Sequence, residues 1–192
     1  MKYLSIKRFF DIIFSIIALI LLSPFFVIII FFLRFTAEGE VFYFQERLGL
    51  KNKKFWMIKF ATMLKNSINM GSGSITLKDD FRVTFIGKFL RKTGVDEIPQ
   101  LINILKGEMS FVGPRPLMKA DINRLGWNEK KHLKRWSVKP GITGSAQLQN
   151  TCSADLSLAN DLSYVKNKSL FLDLRIFMRS IFIPILGKKH SQ

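Results

Sequence analysis

The 192-residue sequence predicts a mainly α protein with a short β-hairpin, an α+β fold, and three features carry that prediction. An apolar run from Ile12 to Leu33 is broken only by Ser15, Ser23 and Pro24. Two aromatic and β-branched runs, VFYFQE (41–46) and KKFWMIKF (53–60), flank a turn region at Gly49 to Asn52 and read as a hairpin. FIGKFLRKTG (85–94) carries its apolar side chains at helical spacing, and VDEIPQLINILKG (95–107) reads as a second helix. The polar stretch Thr36-Ala37-Glu38-Gly39-Glu40 divides a membrane segment, 1–36, from one globular unit, 37–192.

Composition excludes several classes. With 48% hydrophobic residues and 19 Phe the chain is far from the profile of a disordered protein. One cysteine, Cys152, and two histidines, His132 and His190, exclude a disulfide scaffold and a Cys/His zinc module. No histidine lies near Cys152, which reads as a small packing residue. The net charge of +16 on so apolar a chain favours a surface both greasy and anionic, such as the cytoplasmic leaflet of a membrane. Nucleic acid is the competing anion, but no helix-turn-helix, zinc finger or aromatic RNA motif is legible, so no nucleic-acid partner is expected.

The apolar run is long enough to cross a hydrocarbon core of about 30 Å, and it lacks the short apolar region and small-residue end of a cleavable signal. Its flanks complicate simple spanning. Lys2, Lys7 and Arg8 precede it, while Arg34, Arg47, Lys51, Lys53 and Lys54 follow, so both ends prefer the cytoplasmic side. Pro24 offers no N–H to the carbonyl of Ile20, and the Ser23 hydroxyl is placed to bond a freed carbonyl. A kinked single-pass helix and a re-entrant helix broken at Ser23-Pro24 both satisfy these residues; we expect the re-entrant form.

In the globular unit, residues 66–80 (NSINMGSGSITLKDD) read as a mobile loop, and Gly71-Ser72-Gly73 lacks the context of a nucleotide motif. FIGKFLRKTG (85–94) suits an interfacial helix, with Phe85, Ile86, Phe89 and Leu90 on one side and Lys88, Arg91 and Lys92 between them. VDEIPQLINILKG predicts a helix with Asp96 as N-cap, Pro99 in its first turn, Gly107 as its stop, and Leu101, Ile104 and Leu105 buried. NEKKHLKR (128–135) reads as a solvated helix surface. The stretch 170–186 contains Asp173, Arg175, Arg179 and Pro184, too charged for a comfortable span, and should lie on the membrane surface.

Three places suggest chemistry. Asp96 and Glu97 are adjacent acids five residues beyond Arg91, which fits either helix capping or an anionic reaction centre. In MSFVGPRP, Gly113, Pro114 and Pro116 stiffen the backbone around Arg115, a display suited to bidentate contact with phosphate. VKPGITGSAQ (138–147) forms a second tight loop, with Pro140, Gly141, Thr143 and Gly144, which is either a plain turn or a set of backbone N–H groups facing an anion.

Taken in order, these pieces resemble the bacterial sugar transferases of the monotopic phosphoglycosyl transferase family, in its small catalytic-core form. The matching residues are Lys7-Arg8 with Asp11, Ser23-Pro24, QERLGL (45–50), KFATM (59–63), RKTGVDEIPQLINILKGEMSFVGPRP (91–116), KPGITGSAQ (139–147), Asp161 and Tyr164-Val165. The resemblance covers essentially the whole chain. It implies transfer of a sugar phosphate from a nucleotide diphosphosugar, usually a UDP-sugar, to polyprenyl (undecaprenyl) phosphate with release of UMP, the first membrane step in building a polysaccharide or glycoprotein glycan.

The implied roles fall on numbered residues here. Asp96 becomes the nucleophile that forms a covalent phosphosugar intermediate, assisted by Mg²⁺, for which Asp96 is also the metal candidate. Glu97 becomes the base toward the acceptor phosphate. Lys59, Arg91, Arg115, Pro140, Gly141, Thr143 and Gly144 become substrate-binding residues; Lys7, Arg8, Ser23 and Pro24 become membrane-anchoring residues, with anionic membrane lipids among the expected partners. The resemblance also implies a site on the cytoplasmic face of the bacterial inner membrane, a cytoplasmic catalytic domain over 37–192, and downstream glycosyltransferases as partners. The chain departs from many relatives after Gln147, where Leu148 to Cys152 lacks their arginine, and at Ala61, commonly polar or basic. A non-catalytic basic protein that binds anionic lipid or nucleic acid is the alternative that +16 suggests, but it leaves MSFVGPRP and the acid pair unexplained.

Overall fold

The computed structural model describes residues 2–36, 39–70, 77, 79–149 and 153–185. The Gly71-Ser72-Gly73 run, Cys152 and His190 fall outside them.

Helix α1 occupies Lys2–Thr36. Helical residues continue through the break expected at Ser23-Pro24, and the Ser23 hydroxyl donates to the Ile20 carbonyl at 2.8 Å. That carbonyl is the one deprived of an N–H by Pro24. One stripe of α1 faces protein along its whole length. Ala18, Leu19 and Leu22 pack on Phe55, Met57, Leu101 and Ile104, while Phe26, Ile29, Ile30 and the fully buried Leu33 pack on Phe60 and Leu90. The opposite side is apolar and open, with Ile20, Leu21, Phe25, Val27 and Phe31 among the exposed side chains.

Polar contacts fix the first turns. Arg8 donates to the Ile104 and Leu105 carbonyls, Asp11 accepts from the Ser110 hydroxyl and the Phe111 N–H, and Lys7 meets Asp173 at 2.7 Å. Lys7 and Arg8, expected to anchor the membrane segment, direct their charges to protein groups of the globular unit.

Strands β1 (Phe42–Leu48) and β2 (Lys54–Phe60) form the expected antiparallel hairpin. Its turn, Leu50–Asn52, places Lys51 and Asn52 in the left-handed region. The register sets Tyr43 opposite Lys59 and Arg47 opposite Phe55, so these four side chains share a face. The described part of the following loop is tied down: Arg82 donates to the Ser67 and Met70 carbonyls, both at 2.8 Å, and is gripped by Asp80 at 2.6 Å. Residues 71–76 and 78, the middle of the loop expected over 66–80, lie outside the described residues.

Helix α2 (Phe85–Thr93) begins with the Thr84 hydroxyl accepting from the Gly87 N–H and ends at Gly94. It buries Leu90 while Phe85 and Phe89 face outward, as an interfacial helix requires. The next segment corrects the sequence reading. Gly94, with φ 72°, turns the chain into a single 3₁₀ turn, Val95–Glu97, and α3 starts only at Gln100 (Gln100–Lys106). Asp96 caps nothing with its side chain, and Asn103 rather than Leu105 completes the buried face. Asn103 is fully buried and bridges to β2: its carbonyl accepts from the Ile58 N–H and its amide donates to the Trp56 carbonyl. A polar group spaced among leucines hid this contact from a periodicity argument.

Strand β3 (Ser110–Val112) pairs in parallel with β4 (Gly141–Thr143). Helix α4 (Lys119–Arg124) and a 3₁₀ segment, Lys130–Ser137, fill the connection. The charged run 128–135 is not solvated throughout, because Arg135 is buried. Helix α5 (Ser145–Leu148) leads to α6 (Ala154–Asn167) and α7 (Leu170–Ile185). Phe171, Leu174, Met178 and Phe182 are exposed along α7, while Asp173 is buried, accepting from the Tyr3 and Tyr164 hydroxyls at 2.7 Å each.

The packing of α1 predicts a contrast in detergent-solubilised protein. Leu33→Ala should lower stability by about 2–5 kcal/mol through the cavity it leaves, whereas Val27→Ala on the exposed face should stay within about 0.5 kcal/mol. Thermal unfolding of the two variants checks this; equal losses would contradict the burial of that stripe.

Candidate active site

Three elements bring their charges to one place. The hairpin supplies Lys59 from β2; the 3₁₀ turn before α3 supplies Asp96 and Glu97; the Gly-Pro-Arg-Pro loop after β3 supplies Arg115. Lys59 Nζ lies 2.7 Å and Arg115 Nη2 3.4 Å from the same oxygen, Oε1 of Glu97. Burial alone would raise the pKa of Glu97, but the charges of Arg115 and Lys59 and the hydrogen bonds from both override it and hold the group at about 2.

Asp96 behaves differently. It is buried, and among the described residues no hydrogen-bond donor reaches its carboxylate. Burial raises its proton affinity above that of an ordinary aspartate and the charge of Glu97 adds to the rise, against Lys59, Arg91 and Arg115. Arg91 donates from Nε to the Thr62 hydroxyl at 2.8 Å, which holds its guanidinium where its charge acts on Asp96. Neighbouring carboxylates are thus driven apart: one neutralised by two cations, the other largely dehydrated and uncommitted. Both acids lie in the first turn of the 3₁₀ segment, but neither makes a side-chain cap hydrogen bond there or to α3.

A shallow cavity opens beside Glu97, lined by Arg47, Met57, Gln100, Arg115, Pro116 and Gly141 among others. Arg47 is the member that the sequence reading missed as a site residue, having counted it only as a flanking charge. Its guanidinium is steadied by Gln45 at 2.6 Å and the Pro116 carbonyl at 3.3 Å, and burial with the nearby Arg115 charge lowers its pKa to about 10. The hairpin register carried the clue, because Arg47 shares a face with Lys59.

The Pro-Gly loop divides between two tasks. Gly141 borders the cavity, but Pro140, Thr143 and Gly144 serve the loop carrying Arg115. The Pro140 carbonyl accepts from Ser110 N–H and the Thr143 carbonyl from Gly113 N–H. The Gly141 N–H donates to the Pro114 carbonyl at 3.0 Å, so it does not face an anion. Glycine is required at the crossing: a Cβ on Gly141 would lie 2.1 Å from Gly113 N, and one on Gly144 would lie 2.3 Å from Gly113 O.

Among the described residues no cluster of three or more His, Cys, Asp or Glu is assembled for a metal. The donors that exist suit one kind of ion. Asp96 offers both oxygens, and no hydrogen bond engages the second oxygen of Glu97 among the described residues. Mg²⁺ commonly takes one or two carboxylates and completes its shell with water and substrate phosphate, so this sparse set fits it.

Residues 2–187 match the family described as bacterial sugar transferase. The chain belongs to that family. It is 36% identical over 190 residues to the UDP-N-acetylgalactosamine-undecaprenyl-phosphate N-acetylgalactosaminephosphotransferase of Aeromonas hydrophila, covering 96% of this chain and 45% of that protein. It is 37% identical over 191 residues to the exopolysaccharide production protein ExoY of Rhizobium meliloti (strain 1021), covering 91% and 83%. The UDP-glucose:undecaprenyl-phosphate glucose-1-phosphate transferase of Klebsiella pneumoniae is 36% identical over 191 residues, covering 95% and 40%. The chain thus spans less than half of two of these relatives and most of ExoY. As a bacterial sugar transferase it carries the acid pair, both flanking cations and the crossing glycines within the matched region.

Proposed function

We propose that the protein transfers a sugar 1-phosphate from a UDP-sugar to polyprenyl (undecaprenyl) phosphate, releasing UMP, with Asp96 as the nucleophile. The observation that carries this reading is a buried aspartate without a hydrogen-bond partner among the described residues, set beside Lys59, Arg91 and Arg115. A carboxylate meets a diphosphate only when charge is neutralised around both, and three cations serve that purpose. Between the two acids, the more basic is the better attacking group, and the environment raises Asp96 while lowering Glu97.

An Asp96 oxygen attacks the phosphorus that bears the sugar, the bond to the bridging oxygen breaks, and UMP leaves with that oxygen. The phosphosugar then sits on the Asp96 carboxylate as an acyl phosphate. An oxygen of polyprenyl phosphate attacks the same phosphorus, freeing Asp96 and giving polyprenyl diphosphosugar, a lipid-linked substrate for downstream glycosyltransferases. Glu97 takes any proton remaining on the acceptor phosphate. At about 2 it is too weak a base for a phosphate whose second ionisation lies near 6, so this role requires Lys59 and Arg115 to turn from Glu97 to the incoming diphosphate. Mg²⁺, held by Asp96 and substrate oxygens, would supply further charge neutralisation.

The same reading places the site on the cytoplasmic face, with α1 re-entrant. Support comes from contacts at both ends of α1. A straight helix from Tyr3 to Leu33 would extend about 45 Å, more than the hydrocarbon core, yet Tyr3, Lys7, Arg8 and Leu33 all touch one folded body. A body in contact along the full helix has no room to stay on one side of a membrane that the helix crosses.

Two experiments follow. With Mg²⁺ and undecaprenyl phosphate, a panel of UDP-sugars should include one that yields UMP, and Asp96→Asn should lower that turnover by about three orders of magnitude or more; turnover retained in the variant would reject Asp96 as nucleophile. Single cysteines placed at positions 2 and 40 should both be labelled from the cytoplasmic side in spheroplast-derived vesicles. Labelling from opposite sides would establish a spanning helix.

A further inference from the structure

The loop that displays Arg115 is poor in donors of its own, since Pro114 and Pro116 have no N–H. It is held instead through three consecutive carbonyls, each by a different part of the chain. Pro114 O accepts from Gly141 N–H at 3.0 Å, Arg115 O from Arg135 Nη2 at 2.7 Å, and Pro116 O from Arg47 Nη1 at 3.3 Å. The middle one is the most heavily built. Arg135 and Asp161 have side chains only 3% and 2% exposed and meet at 2.8 Å, and the guanidinium lies over the rings of Trp127 and Trp136 at 5.4 and 5.3 Å.

We infer that Arg135, oriented by Asp161, is a positioning residue that fixes the Arg115 backbone and thereby aims the Arg115 guanidinium into the cavity beside Glu97. A buried ion pair is a poor source of stability, because the cost of dehydrating both charges commonly matches what their attraction returns. What this pair produces that apolar residues would not is a rigid planar donor directed at one carbonyl. The geometry uses the guanidinium fork: Nε serves Asp161 while Nη2 serves Arg115 O. A lysine ammonium retains the charge but lacks that fixed pair of directions.

The inference rests on the reading of Arg115 as a phosphate ligand, and a double-mutant cycle separates the two. UDP with Mg²⁺ serves as the probe, its affinity measured by calorimetry on the full chain in detergent for the parent, Arg135→Lys, Arg115→Ala and the double variant, with thermal unfolding recorded for each. Arg135→Lys should weaken UDP binding about tenfold in the parent and less than about twofold when Arg115 is already alanine, because residues acting through one another do not add. The same factor in both backgrounds, or no loss in the parent, overturns the proposal by showing that Arg135 does not act through Arg115. Unchanged UDP affinity in Arg115→Ala alone removes the phosphate-ligand reading and the proposal with it. If Arg135→Lys does not fold, Asp161→Glu, which moves the guanidinium while retaining the pair, carries the same cycle; failure of both to fold overturns the proposal in favour of a purely structural pair.

Discussion

A single carboxylate oxygen, Oε1 of Glu97, receives both Lys59 and Arg115, and the other elements are arranged so that this can happen. Two adjacent acids in a half-buried turn would repel one another and the neighbouring protein unless positive charge were brought in from elsewhere. The hairpin and the Gly-Pro-Arg-Pro loop each deliver one cation to Glu97, and α2 delivers Arg91 near Asp96. The consequence is a division of labour between identical functional groups. Glu97 is paired twice through one oxygen and weakly basic, while Asp96 is left buried and uncommitted, the condition in which a carboxylate can attack phosphorus.

Holding that arrangement needs rigid supports, and they are polar contacts buried under apolar layers. Asn103 locks α3 to β2 and so fixes the separation of Lys59 and Glu97. The close crossing of Gly113 with Gly141 and Gly144 sets the loop from which Arg115 projects. Arg8, Asp11 and Lys7 then fasten α1 to the same framework. The apolar helix α1 is stapled at several points to the scaffold that carries the acid pair, and Phe85, Phe89, Phe171 and Leu174 face outward from α2 and α7.

Local signals carried the hairpin, α2 and the long apolar helix α1, because alternation, helical spacing and hydropathy depend on neighbouring residues. Gly107 ended its helix as expected, and its φ of 84° shows why glycine stands there. Asp96 misled a local argument: an aspartate ahead of an apolar helix usually caps it, but Gly94 inserts a 3₁₀ turn and the helix starts later. The parallel pairing of Ser110 with Gly141 and Val112 with Thr143 joins residues about thirty positions apart and leaves no mark of period. Arg135 was hidden for the same reason; inside a run of lysines it reads as surface, and only Asp161, from a distant helix, explains its burial.

The proposed reaction requires that Asp96 itself carry the phosphosugar. Incubating the protein with a productive UDP-sugar and Mg²⁺ in the absence of acceptor, quenching in acid, and mapping peptides by mass spectrometry addresses this directly. The peptide containing Asp96 should gain a mass equal to the sugar phosphate, and undecaprenyl phosphate should chase it away. An unmodified Asp96, or an adduct on another side chain, under conditions where product accumulates once acceptor is added, would contradict the proposed reaction.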